Sequence, residues 1–366
     1  ASLPPVARAA PAFAPWPGFG RDATHSGTVA TVGPQRGVVL WRRQLEGPVV
    51  AGAAVGRGGV AYVASNAGVL HAVDVRTGRD RWTFDGRGGY GVDLSTVAAV
   101  LPDGTVLWPG PRQRLFALDS RGRLRWSIAL DGEPTSPLVD LRRRRLYLAD
   151  MSGAVRAFDL GRADGPPVLR WKVSLGGTSY GSPALDPRSG TVYQTSGSSL
   201  FAVSGGRVRW SVRARDIVEV SPAVAPDGTV LFGANDSTEY GVTPEGRVRW
   251  RFPIGAITYS STVVTPGGIA LFGDHKRVLH ALDARTGRER GRFGGASQLW
   301  TAAAVDRHND VYFADRRGHV YGYAATGRRL FDHAGAGPYD AYPALAADGT
   351  LLIGSENGEL LALRGG

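Results

Sequence analysis

The stretch VLHAVDVRTGRDRWTF, Val69 to Phe84, decides the reading of this chain because it returns. VLHALDARTGRERGRF at Val278 to Phe293 is nearly the same string, and LFALDSRGRLRWSI (Leu115 to Ile128) and LFAVSGGRVRWSV (Leu200 to Val212) are shortened versions. VRAFDL (Val155 to Leu160) leading to LRWKV (Leu169 to Val173), EYGVTPEGRVRWRF (Glu239 to Phe252) and VYGYAATGRRLFD (Val320 to Asp332) are looser copies. Each reads as strand, tight turn, strand: an alternating run meets a glycine-bearing turn, and a second alternating run carries Arg-Trp. The tryptophans fall at Trp82, Trp126, Trp171, Trp210 and Trp250, with Gly291 and Phe331 in the next two equivalent places. The spacings are 44, 45, 39, 40, 41 and 40 residues, a period that marks a repeat architecture.

A chain of 366 residues would ordinarily hold two or three domains, but the unbroken repeat argues for one closed body. The hydrophobic share is 43%, and no apolar run approaches the ~20 residues of a membrane helix. With no cysteine, disulfides, thiolate metal ligands and cysteine nucleophiles are excluded. The net charge is +11, but the basic residues are spread through every repeat, and Arg79, Arg123, Arg207, Arg247 and Arg288 share one turn-to-strand slot. That distribution gives no basic helix or stripe for specific nucleic-acid binding, and leaves only weak attraction to anionic surfaces. The run Arg142 to Arg145 falls in a hairpin turn and reads as a solvated turn.

Residues 1–15, rich in Ala and Pro, read as a tether, and 16–36 (opening WPGFGRDATHSG) as an irregular arm on the surface. From 37 to 366 the chain reads as one propeller. GVVLWRRQL (Gly37 to Leu45) has the character of a repeat's last strand with no repeat before it. GTLLIGSENGELLALRGG (Gly349 to Gly366) stops where its own Arg-Trp strand should follow. Pairing the two closes a ring and leaves no open sheet edge. The count is then eight units, with their third strands at Leu70, Leu115, Val155, Leu200, Glu239, Leu279, Val320 and Leu360. The expected fold is all-β: an eight-bladed propeller of four-stranded antiparallel blades, closed by the N-terminal strand. Small residues at Ser136, Ser182, Ser221 and Ser261 suit inner strands crowded at the axis. Trp41, Trp82, Trp126, Trp171, Trp210 and Trp250 are expected to be largely buried docking residues between blades.

The loops leading into the inner strands lie at one mouth of the channel. Aligned on those strands, Tyr180, Glu219, Tyr259, Trp300 and Asp340 occupy one equivalent position in blades 4 to 8. With Tyr90, Asp93 and Tyr339 from the same loops, they form an expected ligand or partner site, since aromatics on loops held by a rigid scaffold favour binding. Glu219 and Asp340 stand three blades apart, too far for direct acid–base coupling. The histidines lack metal-ligand spacing, and His71 and His280 share one repeat slot, which marks a structural role. No catalytic or metal-binding residue is assigned.

AVDVRTGRDRW (Ala72 to Trp82) and ALDARTGRERG (Ala281 to Gly291) resemble the tryptophan-docking repeat of quinoprotein alcohol dehydrogenase-like propellers. The opening WPGFGRDATHSG resembles the lead-in of small bacterial proteins of that superfamily. Its enzymes hold pyrroloquinoline quinone over the channel with calcium, carboxylate and amide ligands, an acidic base and often a vicinal cysteine pair. No residue here matches those calcium ligands or that base, and cysteine is absent. In size the chain resembles the non-catalytic, outer-membrane-assembly type of member, although those carry a lipidation cysteine. The resemblance implies a monomeric, cofactor-free scaffold of a bacterial envelope, periplasmic or extracellular, engaging a protein or peptide through the mouth loops or a strand edge. Two other readings stay open: a small oxidoreductase using the quinone or a metal at the same mouth, and an extracytoplasmic sensor domain of a larger receptor.

Overall fold

Residues 16–89, 96–161 and 165–365 are described by the structure, a computed structural model. The tether reading of 1–15 and the site residues Tyr90 and Asp93 lie outside the described residues.

The quoted stretch folds as read. Val69–Asp74 and Asp80–Asp85 pair antiparallel, with Ala72 opposite Trp82 and Val73 opposite Asp80. The register slips by one at Arg81, a β-bulge that turns this arginine away from the ladder. Arg81 reaches the Asp74 carboxylate at 2.8 Å. The equivalent Arg249 and Arg290, on equivalent bulges, reach Asp227 and Asp283 at 2.7 Å. At these bulges the Arg therefore fastens its own blade, while the docking Trp serves the next.

Trp41, Trp82, Trp210 and Trp250 donate their indole N–H to the carbonyls of Val75, Ser120, Pro244 and Ala284, each in the following blade. Each ring lies on that blade's turn glycine. At Gly78 (φ 71°) a Cβ would stand 2.7 Å from the Trp41 ring, so only glycine admits both the left-handed turn and the docked indole. Trp171 rests on Gly206 in the same way. The six docking tryptophans, expected to be largely buried, keep part of each ring exposed. They cover the outer strands' seams, and full burial belongs to the second and third strands.

Eight four-stranded antiparallel sheets make an eight-bladed propeller, each blade running from a two- or three-residue inner strand to a solvent-facing outer strand. Seven blades use consecutive strands. The eighth takes Ala344–Leu345, Leu351–Gly354 and Glu359–Arg364 from the end of the chain and Val38–Gln44 from its beginning. Val38 lies opposite Arg364 and Gln44 opposite Glu359, which closes the ring. Among the described residues there is no helix, and none long and apolar enough to cross a membrane.

The arm corrects an expectation. It does not lie on the surface: Trp16, Phe19, His25, Thr28 and Val29 are buried. Its carbonyls accept from the inner strands in turn, Pro17 from Val100, Ala23 from Leu185, Thr24 from Val224, His25 from Val264 and Gly27 from Val305. These N–H groups end the inner strands beside the first hairpin turns, so the arm seals the channel at that mouth. Donors that neighbouring inner strands leave unpaired on the axis find their acceptors there.

Candidate functional site

With one mouth sealed, the channel is a well of about 530 Å³. Its floor includes Phe19 of the arm and Tyr342, whose rings meet edge to face at 4.9 Å. At the level of Tyr342 runs a chain of serines. Val97 N–H donates to Ser136 Oγ, Ser136 N–H to Ser182, Ser182 N–H to Ser221 and Ser221 N–H to Ser261, at 2.8–3.1 Å. Ser261 Oγ meets the Tyr342 hydroxyl at 3.2 Å. The small residues read as a response to crowding also tie the inner strands of blades 2 to 6 to one another.

Tyr180, Glu219, Tyr259, Trp300 and Asp340 all line this well. Tyr339 does not: it is wholly buried, and its hydroxyl donates to Glu359 at 3.0 Å. Sequence reasoning missed a second ring behind the first. Asn235, His275, Arg316 and Glu356 each stand just past the second strand of blades 5 to 8. Each backs the mouth residue of its own blade. Asn235 donates to Glu219 at 2.8 Å, and His275 meets Tyr259 with ring centroids 5.0 Å apart. The Arg316 guanidinium lies 3.8 Å from the Trp300 ring centroid. Arg316 also donates to Asp340 and, at 2.9 Å, to Glu356. Blade 4 has Gly197 at this place, and its Tyr180 is the most open of the ring at 43% exposed. Aligning the second hairpin turns, as was done for the mouth loops, would have found this ring.

The electrostatics follow from the packing. Burial, together with a hydrogen bond shared with Glu356, pushes Asp340 up to about 7 against the pull of Arg316. Glu356, accepting that bond, is held below the ordinary carboxylate range. Burial pushes Tyr259 up, helped by the Glu219 charge. Burial lowers His275, and the Arg316 charge adds to this. No lysine or arginine is among the described residues lining the well, although the chain has 43 of them.

The other candidates prove structural. His71 lies between Glu46 and Asp80, and His280 between Asp274 and Glu289 at 3.0 Å from each, so the shared slot is a buried carboxylate bridge. Arg143 donates to Asp140 and to the carbonyls of Pro187 and Arg188, and Arg144 to Leu160 and Gly161, fastening the hairpin turn to its surroundings.

Eight blades of this repeat, joined by this tryptophan docking, place the chain among known proteins. The sequence matches the family described as outer membrane protein assembly factor BamB over residues 25–91 and 168–365. The chain belongs to the BamB family. Within the same superfamily, the fold of this BamB-family chain is similar to quinohemoprotein alcohol dehydrogenase from Comamonas testosteroni (TM-score 0.77, 14% identity, 95% of this chain and 80% of that one). It is similar to BamB from Moraxella catarrhalis as well (TM-score 0.66, 15% identity, 89% and 99%). A europium-containing methanol dehydrogenase also shares the fold (TM-score 0.74, 11% identity, 94% and 91%). At such identities the likeness is one of fold. No curated protein matches the sequence.

Proposed function

We propose that this BamB-family propeller is a non-enzymatic binding scaffold of a bacterial cell envelope, engaging a protein or peptide at the open mouth of its well. The observation that carries this reading is the rim itself. Five side chains at one height, three of them aromatic, face a cavity sealed at the far end, within the size range of binding pockets. Aromatic anchors on rigid loops supply contact area at little entropic cost.

The quinone held by the superfamily's enzymes is a tricarboxylate, and the lining does not fit it. Glu219, Asp340 and Glu356 face the well, and Arg316, the nearby cation, is already bonded to two of them. A polyanion would meet like charge with no free counter-ion.

The test is photo-crosslinking in cells of the source organism. A benzophenone amino acid at Tyr180 should give a crosslinked protein or peptide adduct, and one at Arg142 on the sealed mouth should not. Equal adducts from both positions, or quinone-dependent alcohol oxidation by the purified chain, would overturn the scaffold reading.

A further inference from the structure

Glu219 is the rim's carboxylate without a cationic partner among the described residues. It stands on blade 5 between Tyr180 on blade 4 and Tyr259 on blade 6, at one height. Among the described residues its hydrogen-bond partner is the neutral amide of Asn235, which satisfies one carboxylate oxygen and none of the charge. Two blades on, the protein shows what such a group does when a cation is within reach. The Arg316 guanidinium lies on the Trp300 face and bonds both Asp340 and Glu356. That is an aromatic–carboxylate box already filled by the chain's own arginine. At Glu219 the same ingredients, a carboxylate with aromatic rings on either side, face the cavity with no basic residue among the described lining.

Resting on the reading of the mouth as a partner site, we propose that the box formed by Glu219, Tyr180 and Tyr259 takes an alkylammonium or guanidinium group, as on a lysine or arginine side chain of the partner. A carboxylate beside aromatic faces is the arrangement that attracts an organic cation, through the ring quadrupole and a charge-assisted hydrogen bond. Arg316 matches Asp340 and Glu356, so Glu219 leaves a local negative charge at the mouth of a chain whose net charge is +11, and a cationic group is drawn there and repelled elsewhere. The arm closes the far end, so nothing threads through, and the group that enters must be a side chain or a chain end.

The experiment is a ligand-observed NMR titration of the full chain with acetyl-Gly-Lys-Gly-amide, its norleucine and glutamate analogues, and free pentylammonium. The lysine peptide should bind about tenfold more tightly than the norleucine peptide, the weight of one hydrogen bond to a charged group. The glutamate peptide should not bind. Glu219→Gln should remove the preference, and Tyr180→Ala should weaken it, with melting temperatures unchanged. Pentylammonium binding as tightly as the peptide also supports the cation box and assigns it to free amines. Equal binding of lysine and norleucine, absence of binding at 10 mM (roughly the weakest useful affinity), or an unaltered preference in Glu219→Gln overturns the proposal. So does calcium occupying the mouth carboxylates without any lysine preference. Crosslinking from Tyr180 without lysine selectivity would leave the scaffold reading standing and this one refuted. Lysine selectivity without a crosslinked partner would do the reverse.

Discussion

Trp41, on the strand that precedes the first blade, donates its indole N–H to the Val75 carbonyl of that blade at 2.8 Å. The same strand pairs with Glu359–Arg364, so one segment both completes blade 8 and docks onto blade 1. Trp41→Ala should destabilise the whole ring by about 2 kcal/mol, less than the ~3–5 kcal/mol of a fully buried aromatic because the ring is partly exposed. Chemical denaturation monitored by circular dichroism measures this. A loss below ~0.5 kcal/mol, the level of a neutral surface change, would remove the closure role of the indole.

The docking glycines can be separated from ordinary turn glycines. Gly246 (φ 85°) lies under Trp210, where a Cβ would come within 2.7 Å of the ring. Gly327 (φ 90°) has nothing within 4 Å, because the preceding blade carries Gly291 where a tryptophan would stand. Both substitutions to Ala incur the left-handed backbone cost of ~1–2 kcal/mol. Gly246→Ala should cost about 1–2 kcal/mol more, since the indole must shift. Equal losses in parallel melts would mean that the tryptophan yields freely.

Glu239 occupies the third-strand position where most other blades carry Leu or Val, and it is completely buried. Thr262 donates to one oxygen at 2.7 Å, while the other oxygen is unpaired among the described residues. Burial pushes its carboxyl up to about 8, from an unfolded value near 4.5. Between those pH values the folded chain holds a proton that the unfolded chain has lost, so this group's contribution to stability falls as pH rises from about 4.5 to about 8. Glu239→Gln should flatten that decline in urea-unfolding free energies measured across the window. Glu239→Leu should raise stability at pH 8 by about 1–3 kcal/mol, the cost of an unsatisfied buried polar group.

His25 anchors the arm, with Nδ1 2.6 Å from the Pro222 carbonyl, and burial lowers its pKa to about 4. Its folded pKa lies below the unfolded value near 6.5, so the arm's stability is complete above pH 6.5 and is lost progressively as pH falls toward 4. The backbone N–H of Val264, which donates to His25, should exchange faster at pH 5 than at pH 7 after correction for intrinsic rates. Protection that does not change relative to outer-strand amides would show that the arm holds without the neutral imidazole.

The mouth ring was legible because a propeller converts equal offsets from the inner strand into equal heights on the axis. Counting back two residues from Ser182, Ser221, Ser261, Ala302 and Tyr342 finds Tyr180, Glu219, Tyr259, Trp300 and Asp340. The backing ring was equally periodic but went unread, since its members differ in type (Asn235, His275, Arg316, Glu356) and carry no common letter.

The sequence by itself determined the repeat, the number of blades, the ring closure and the docking tryptophans. All of these are local or periodic, and each recurs often enough to be recognised against the background. Only the tertiary structure decided that the arm seals the channel, that Arg316 fills one aromatic–carboxylate box while Glu219 keeps its charge uncompensated, and that Glu239 is dry. The reason is distance along the chain. His25 meets Pro222 across 197 residues, and the arm has no period to announce its partners. Such contacts exist only once eight inner strands stand around one axis, with their terminal N–H groups turned toward whatever chain crosses it.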